Sequence, residues 1–270
     1  MRHGLRDTLP STRMGEAALA TTGKPPANDA IDTLAPAVPR PGGDCAACSA
    51  REQTVCAALS AGELPAMAAI RSDIRFAPGQ SVIFEGDPAE SLFNVKLGVV
   101  KLVKLMIDGR TQITGFLFPG DFLGLALLNK YTFSAEAVTA AELCRFPRLA
   151  FEELLARFPA LEHRLLSNAS NEIASAQEQM LLLGRKTAQE RLATFILMMR
   201  RRAASPTDPS VVILPMSRQD IGDYLGLTIE TVSRTITRLR KSGAIELLDS
   251  SHVLIHDADA MKALSGIEDF

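Results

Sequence analysis

The sequence predicts an α+β chain in three parts: an antiparallel β-barrel or jelly roll, one long helix, and two short helices with a hairpin behind them. Three observations predict it. Short apolar runs between Gly, Pro and Asp turns fill residues 74–144. After Cys144 the apolar period becomes helical, and near the C-terminus two capping signals flank a single glycine. The 270 residues are enough for two ordinary cores. With 47% hydrophobic and 22% charged residues, the composition is that of a globular protein. No apolar run approaches the roughly 18 residues of a membrane-spanning helix, and no apolar leader follows Arg2, Arg6 and Arg13. The cytoplasm is the expected compartment, with Met1 and Met14 both open as the start. A net charge of −2 argues against coating a polyanion, although an average hides local asymmetry.

Residues 1–44 hold six of the fifteen prolines and no aromatic residue. Such a stretch cannot bury enough surface to offset its ordering entropy, so a disordered tail is expected. A cysteine segment and the barrel follow over 45–158. Pro78-Gly79, the turn at 85–88 and Pro119-Gly120-Asp121 punctuate the strands, Phe93, Val95, Leu97 and Val99 alternate, and Asp108-Gly109 marks a hairpin between 100–106 and 112–118. Residues 122–128 suit a core strand.

A short helix is expected over 151–158, ended near Pro159. A longer one covers 160–183 within a segment 159–186, with Gly184 closing it. Along it Leu166, Ala169, Ile173, Ala176, Met180 and Leu183 are spaced 3, 4, 3, 4, 3, a coiled-coil seam that carries no charge. The remaining part, 187–270, begins with a capping box, Thr187-x-x-Glu190, before a helix whose inner face is Leu192, Phe195, Ile196 and Met199. A strand is expected at 211–214. Ser217-x-x-Asp220 then caps a helix carrying Ile221, Tyr224 and Leu225, and Gly226 breaks it. Thr228 caps a second helix over 229–241, ended by Gly243. Strands at 245–248 and 253–255 complete a winged helix-turn-helix.

On the second helix Val232, Ile236 and Leu239 are expected inside, with Glu230, Ser233, Arg234 and Thr237 outside. Arg offers paired donors to guanine, Glu accepts from cytosine, and Ser reaches a base or a phosphate. Arg238, Arg240 and Lys241 lie where phosphate contacts would set register. Residues 217–241 carry five Arg/Lys against three Asp/Glu, a local +2 on a chain that is −2 overall. No Ser/His/Asp set or phosphate loop stands out, and His3, His163, His252 and His256 all fall outside the barrel, so an enzyme is not expected.

The stretch 218–234, RQDIGDYLGLTIETVSR, resembles the helix-turn-helix of the CRP/FNR family of bacterial transcription regulators. The order of barrel, long helix and winged helix-turn-helix is similar as well, over roughly residues 45–260. The resemblance implies a cyclic-nucleotide-binding-like barrel, a homodimer joined along the long helix, and RNA polymerase as a partner. It also implies double-stranded palindromic DNA read by Glu230, Ser233 and Arg234; the E-x-x-S-R pattern is similar to that of readers of TTGAT half-sites. A twofold dimer would set its reading helices about one DNA turn apart. Family barrels that hold a cyclic nucleotide use a Glu on the ribose and an Arg-Ser pair on the phosphate. The stretches Gly124-Leu125-Ala126-Leu127 and Phe133-Ser134-Ala135 lack both the Glu and the Arg, so no cyclic nucleotide is expected.

Cys45, Cys48 and Cys56 lie within twelve residues and Cys144 lies 88 residues further on, at the end of the barrel strands. Four thiolates can hold one [4Fe–4S] cluster, zinc prefers two C-x2–4-C knuckles, and inert cysteines are the third reading; spacing alone leaves all three open. The resemblance selects among them. FNR-type oxygen sensors carry three cysteines ahead of the barrel and a fourth at the position of Cys144. The C-x2-C-x7-C spacing is similar to that of FnrN/FnrL-type members. The resemblance thus implies an oxygen-responsive regulator whose cluster, assembled without oxygen, ties the N-terminal segment to the barrel and favours the dimer. Thiol redox or zinc on the same fold is the alternative.

Overall fold

The computed structural model describes residues 40–41, 45–124, 129–203 and 205–266, all within one compact unit, Leu34–Phe270. Residues 1–39 and 42–44 of the expected tail lie outside the described residues. Between them, Arg40–Pro41 forms a strand, β1, antiparallel to Ser72 and Asp73.

Two 3-10 turns, Arg51–Gln53 and Val55–Ala58, and a short helix α1 (Leu64–Ile70) follow β1; none of the three was expected. The strands are β2 (Ser72–Phe76), β3 (Ser81–Ile83), β4 (Ser91–Leu97), β5 (Val100–Leu105), β6 (Thr111–Leu117), β7 (Phe122–Leu123), β8 (Ser134–Ala137) and β9 (Ala141–Pro147). They form two antiparallel sheets, ordered β1-β2-β9-β4-β7 and β3-β8-β5-β6, a jelly-roll-like arrangement rather than one closed barrel. The Asp108-Gly109 hairpin forms as expected, pairing Leu105 with Thr111, with Gly109 at φ +83°. The strand expected over 122–128 is shorter, ending at Leu123; residues 125–128 lie outside the described residues.

Strand β4 departs from simple alternation, since Leu92, Phe93, Asn94 and Val95 are all buried. Phe93 and Val95 join the core between the sheets, whereas Leu92 joins a second core with Phe122, Phe146, Phe151 and three of the cysteines. Helix α2 (Arg148–Arg157) closes that second core through Phe151 and Leu154.

Helix α3 (Pro159–Arg185) is 27 residues long, starting on Pro159 at its first turn. Gly184 is its penultimate residue, and Arg185 ends it. The capping box forms, Glu190 N–H donating to Thr187 Oγ1 at 3.3 Å, and α4 (Ala188–Ala203) buries the expected inner face. Strand β10 (Val211–Ile213), helices α5 (Arg218–Leu225) and α6 (Ile229–Lys241), and strands β11 (Ile245–Leu247) and β12 (His252–Ile255) follow. The wing is a three-stranded sheet ordered β10-β12-β11, and an unexpected helix α7 (Ala258–Ser265) packs back on α4. One continuous core joins Phe116 and Phe118 near the end of β6 to α4, α5 and α6, so the helix-turn-helix is docked on the β5–β6 sheet.

Candidate functional site

The helix-turn-helix is built by local signals. Ser217 Oγ accepts from Asp220 N–H at 3.0 Å and Asp220 Oδ2 accepts from Ser217 N–H at 3.0 Å, a complete capping box. Gly226 ends α5 in the left-handed region at φ +62°. Gly222 is required by close approach: a Cβ there would meet Leu227 O at 2.7 Å. Thr228 Oγ1 accepts from Thr231 N–H at 3.3 Å and starts α6.

Val232, Ile236 and Leu239 face inward as expected, with Thr235 buried beside them and bonded to Thr231 O. Glu230, Ser233, Arg234, Thr237 and Arg238 share one exposed face. A bond to its own backbone N–H, helped by Thr228, holds the Glu230 carboxyl below the usual carboxylate range. Arg234 Nη2 is 3.4 Å from Thr231 Oγ1, and Thr237 turns its hydroxyl back to Ser233 O at 3.0 Å. Arg238 Nη1 reaches Gln189 Oε1 on α4 at 3.5 Å. Ile229, first in the helix and 40% exposed, shares this face and escaped the sequence reading; its spacing from Val232 and Ile236 is that of a core position.

Along α3, Leu166, Ile173 and Met180 are 61–70% exposed and seven residues apart, and Ala176 is exposed with them. Ala169 is half-buried. Leu183, expected in the same seam, is half-buried against the helix-turn-helix core and so faces within its own chain.

Three of the four cysteines meet in the core on the outer side of the five-stranded sheet, and the fourth, Cys48, is tied to Cys45 by a backbone bond. Cys45, Cys56 and Cys144 belong to one buried core, Cys48 is half-buried, and all four are free thiols. Cys48 N–H donates to Cys45 O at 3.4 Å, and Cys56 N–H donates to Thr54 Oγ1 at 3.3 Å. Cys144 lies in β9 between Asp73 of β2 and Asn94 of β4. Burial pushes the Cys144 thiol up to about 12, and raises Cys45 and Cys56 as well. Arg71, Asp73 and Asn94 complete the site, and no sequence signal pointed to them. Arg71 Nη1 donates to Cys45 Sγ at 3.1 Å, and Asn94 Nδ2 is 3.9 Å from Cys56 Sγ. Asp73 Oδ1 and Asn94 Oδ1 are buried without a hydrogen-bond partner. Among the described residues, no three His, Cys, Asp or Glu side chains are grouped tightly enough to hold a single metal ion.

A family model described as a cyclic nucleotide-binding domain matches residues 73–158, and one described as a Crp-like helix-turn-helix domain matches residues 190–264. The nitrogen fixation regulation protein FixK of Bradyrhizobium diazoefficiens is 43% identical over 215 residues, 79% of this chain and 91% of FixK. The chain belongs to the CRP/FNR family of transcription regulators. Another family member, the transcriptional activator protein FnrL of Cereibacter sphaeroides, is 37% identical over 218 residues, 79% of this chain and 88% of FnrL. The solved structure of FixK2 from Bradyrhizobium japonicum superposes with a TM-score of 0.69 at 35% identity, covering 72% of this chain and 97% of that one. CRP/FNR membership makes the protein a DNA-binding transcription regulator and not an enzyme. Among the described residues, no helix is long and apolar enough to cross a membrane.

Proposed function

We propose that this protein is a cytoplasmic, homodimeric, oxygen-responsive transcription activator. It binds TTGAT-N4-ATCAA palindromes while Cys45, Cys48, Cys56 and Cys144 hold a [4Fe–4S] cluster. The observation that carries this reading is that Cys45 and Cys56 of the short segment share one buried core with Cys144 of β9, while Cys48 lies half-buried three residues from Cys45. The donor set fits the group. Four thiolates are the usual ligands of such a cluster. When bound, the cluster supplies an oxygen-labile tie between the cysteine segment and the sheet.

The chain's own residues carry that tie to the seam. The Val55–Ala58 turn packs against α3, where Leu161 and Leu165 enter the same core as Cys56. Fixing Cys45, Cys48 and Cys56 to Cys144 therefore fixes the base of the helix that bears Leu166, Ala169, Ile173, Ala176 and Met180. Those exposed apolar side chains pair with a second copy, and two α6 helices meet successive major grooves. Glu230, Ser233 and Arg234 read base edges, Thr237 lies beside them, and Arg238, Arg240 and Lys241 contact phosphates. RNA polymerase is the protein partner, and no cyclic nucleotide takes part.

Anaerobic purification tests the reading. A brown protein with about four irons and four sulfides per chain is expected. It shifts the TTGAT-N4-ATCAA duplex without oxygen, releases it in air, and ignores a scrambled duplex. A colourless protein that shifts the duplex equally in air, or one loaded with zinc, overturns the cluster and favours thiol redox or zinc.

A further inference from the structure

We propose that Gln112 and Gln179 determine which half-site spacing the dimer accepts, by fixing the angle at which the helix-turn-helix leaves the seam helix. The inference rests on the twofold-dimer reading above.

The end of α5 carries it. A helix leaves its last carbonyls without intrahelical partners. In α5 the N–H groups of Gly226 and Leu227 both return to Gly222 O. The next three carbonyls are each taken by a side chain of a different element. Gln112 Nε2 of β6 donates to Asp223 O at 2.6 Å and approaches Tyr224 O at 3.4 Å. Gln179 Nε2 of α3 donates to Tyr224 O at 2.8 Å. Arg191 Nη1 of α4 donates to Leu225 O at 2.8 Å, while its Nη2 holds Leu183 O at 2.8 Å. At the other end of α5, Lys101 Nζ of β5 donates to Asp220 Oδ1 at 2.8 Å.

Main-chain targets matter here. A bond to a side chain leaves the backbone free to turn, whereas bonds to Asp223 O and Tyr224 O hold the helix axis itself. Gln179 precedes the exposed seam residue Met180 in α3, so it indexes α5 to the direction in which the seam faces. Gln112 indexes it to the sensor sheet. Neither glutamine lies on the α6 reading face, and both are half-buried. Their contribution is therefore aim and not contact. In a twofold dimer the aim of each module sets the distance between the two reading helices, which is what half-site spacing measures.

The test uses the full-length protein, purified without oxygen, and three labelled duplexes, TTGAT-N3-ATCAA, TTGAT-N4-ATCAA and TTGAT-N5-ATCAA. Wild type prefers one spacer. Gln179→Leu and Gln112→Leu each reduce that preference, and the double variant reduces it about tenfold, the scale of losing one or two neutral hydrogen bonds. Gln179→Lys keeps a donor of similar reach and restores the preference. Discrimination against a base change within TTGAT stays at the wild-type level in all variants, because the reading face is untouched. Variants that keep the wild-type spacer ratio overturn the inference, and so do variants that lose all three duplexes in equal proportion. A wild type with no spacer preference overturns the dimer reading along with it.

Discussion

Arg71 Nη1 donates to Cys45 Sγ at 3.1 Å while Nη2 of the same guanidinium pairs with Asp73 at 3.2 Å, so one buried cation joins the cysteine segment to the five-stranded sheet. The Arg71 side chain is 3% exposed. Burial works against its charge, but Cys144, Cys45 and Asp73 outweigh it and raise its pKa above the usual value. A guanidinium does not give up its proton, so the charge stays in place whatever the thiols do.

Arg71→Gln leaves Asp73 with Lys96, 3.8 Å away, as its cationic neighbour and takes the donor from Cys45. Removing one partner of a buried pair costs about 3 kcal/mol. A lower urea midpoint and faster proteolysis at Arg51 are expected. Arg71→Gln with Asp73→Asn should recover part of the loss, because no buried carboxylate is then left behind. A midpoint equal to wild type in Arg71→Gln would show that the bond carries no stability.

The docking of α5 on the sheet should depend on pH. Burial alone would raise the Asp220 carboxyl, but bonds from Lys101 and Ser217 overcome it and hold it below the usual range. A carboxylate with a depressed pKa contributes fully above its unfolded value, about 4, and loses that contribution as pH falls through its folded value. Burial alone would lower the Lys101 pKa, but bonds to Asp220 and Glu136 overcome it and hold it above the usual value, so its contribution is lost only in alkali, above about 10. Lys101→Met should therefore cost about 2 kcal/mol at neutral pH and make the acid limb below pH 4 shallower. Urea titrations of wild type and variant at matched pH check this, and parallel acid limbs would count against it.

The parts of the molecule that are legible in its sequence are those made by neighbours along the chain. Ser217 with Asp220, Thr228, Gly226 and Gly243 are local devices, and α5, α6 and the wing follow from them. Asp108-Gly109 made its hairpin for the same reason. What escaped depends on distant partners. Period-two alternation assumes one wet face, and β4 has none over 92–95 because the cysteine segment and α2 cover its second side. Asp73 and Asn94 meet at Cys144 only because β2 and β4 both flank β9. Gly184 marks the end of α3 to within one residue, since the helix stops at Arg185. Leu183 kept the seam's spacing while its side chain turned to α4 and α5.

On the proposed reading, the seam sets the behaviour of the cluster-free protein. Leu166, Ile173, Ala176 and Met180 are exposed and the stripe carries no charge, so nothing in it opposes a second copy. The cluster-free protein should keep a dimer population at micromolar concentration in sedimentation. Ile173→Glu should weaken dimerisation on the order of a thousandfold, about 4 kcal/mol, because the twofold axis counts the loss twice. A strictly monomeric wild type would refute the argument from charge.

The proposed reading face separates two kinds of cation. Arg234 lies near the start of α6, beside Glu230 and Ser233, where a base edge is the proposed target of its guanidinium; Arg240 and Lys241 lie at its end, where phosphates are the proposed targets. Arg234→Ala should cost about 1–3 kcal/mol on TTGAT-N4-ATCAA and relax discrimination at a single base pair of each half-site. Lys241→Ala should weaken every duplex alike and reduce the slope of log K against log salt by about 1 per half-site. Titrations over a set of single-base variants at two salt concentrations distinguish the two. Uniform weakening in Arg234→Ala would make it a phosphate contact and move the reading role to Glu230 and Ser233.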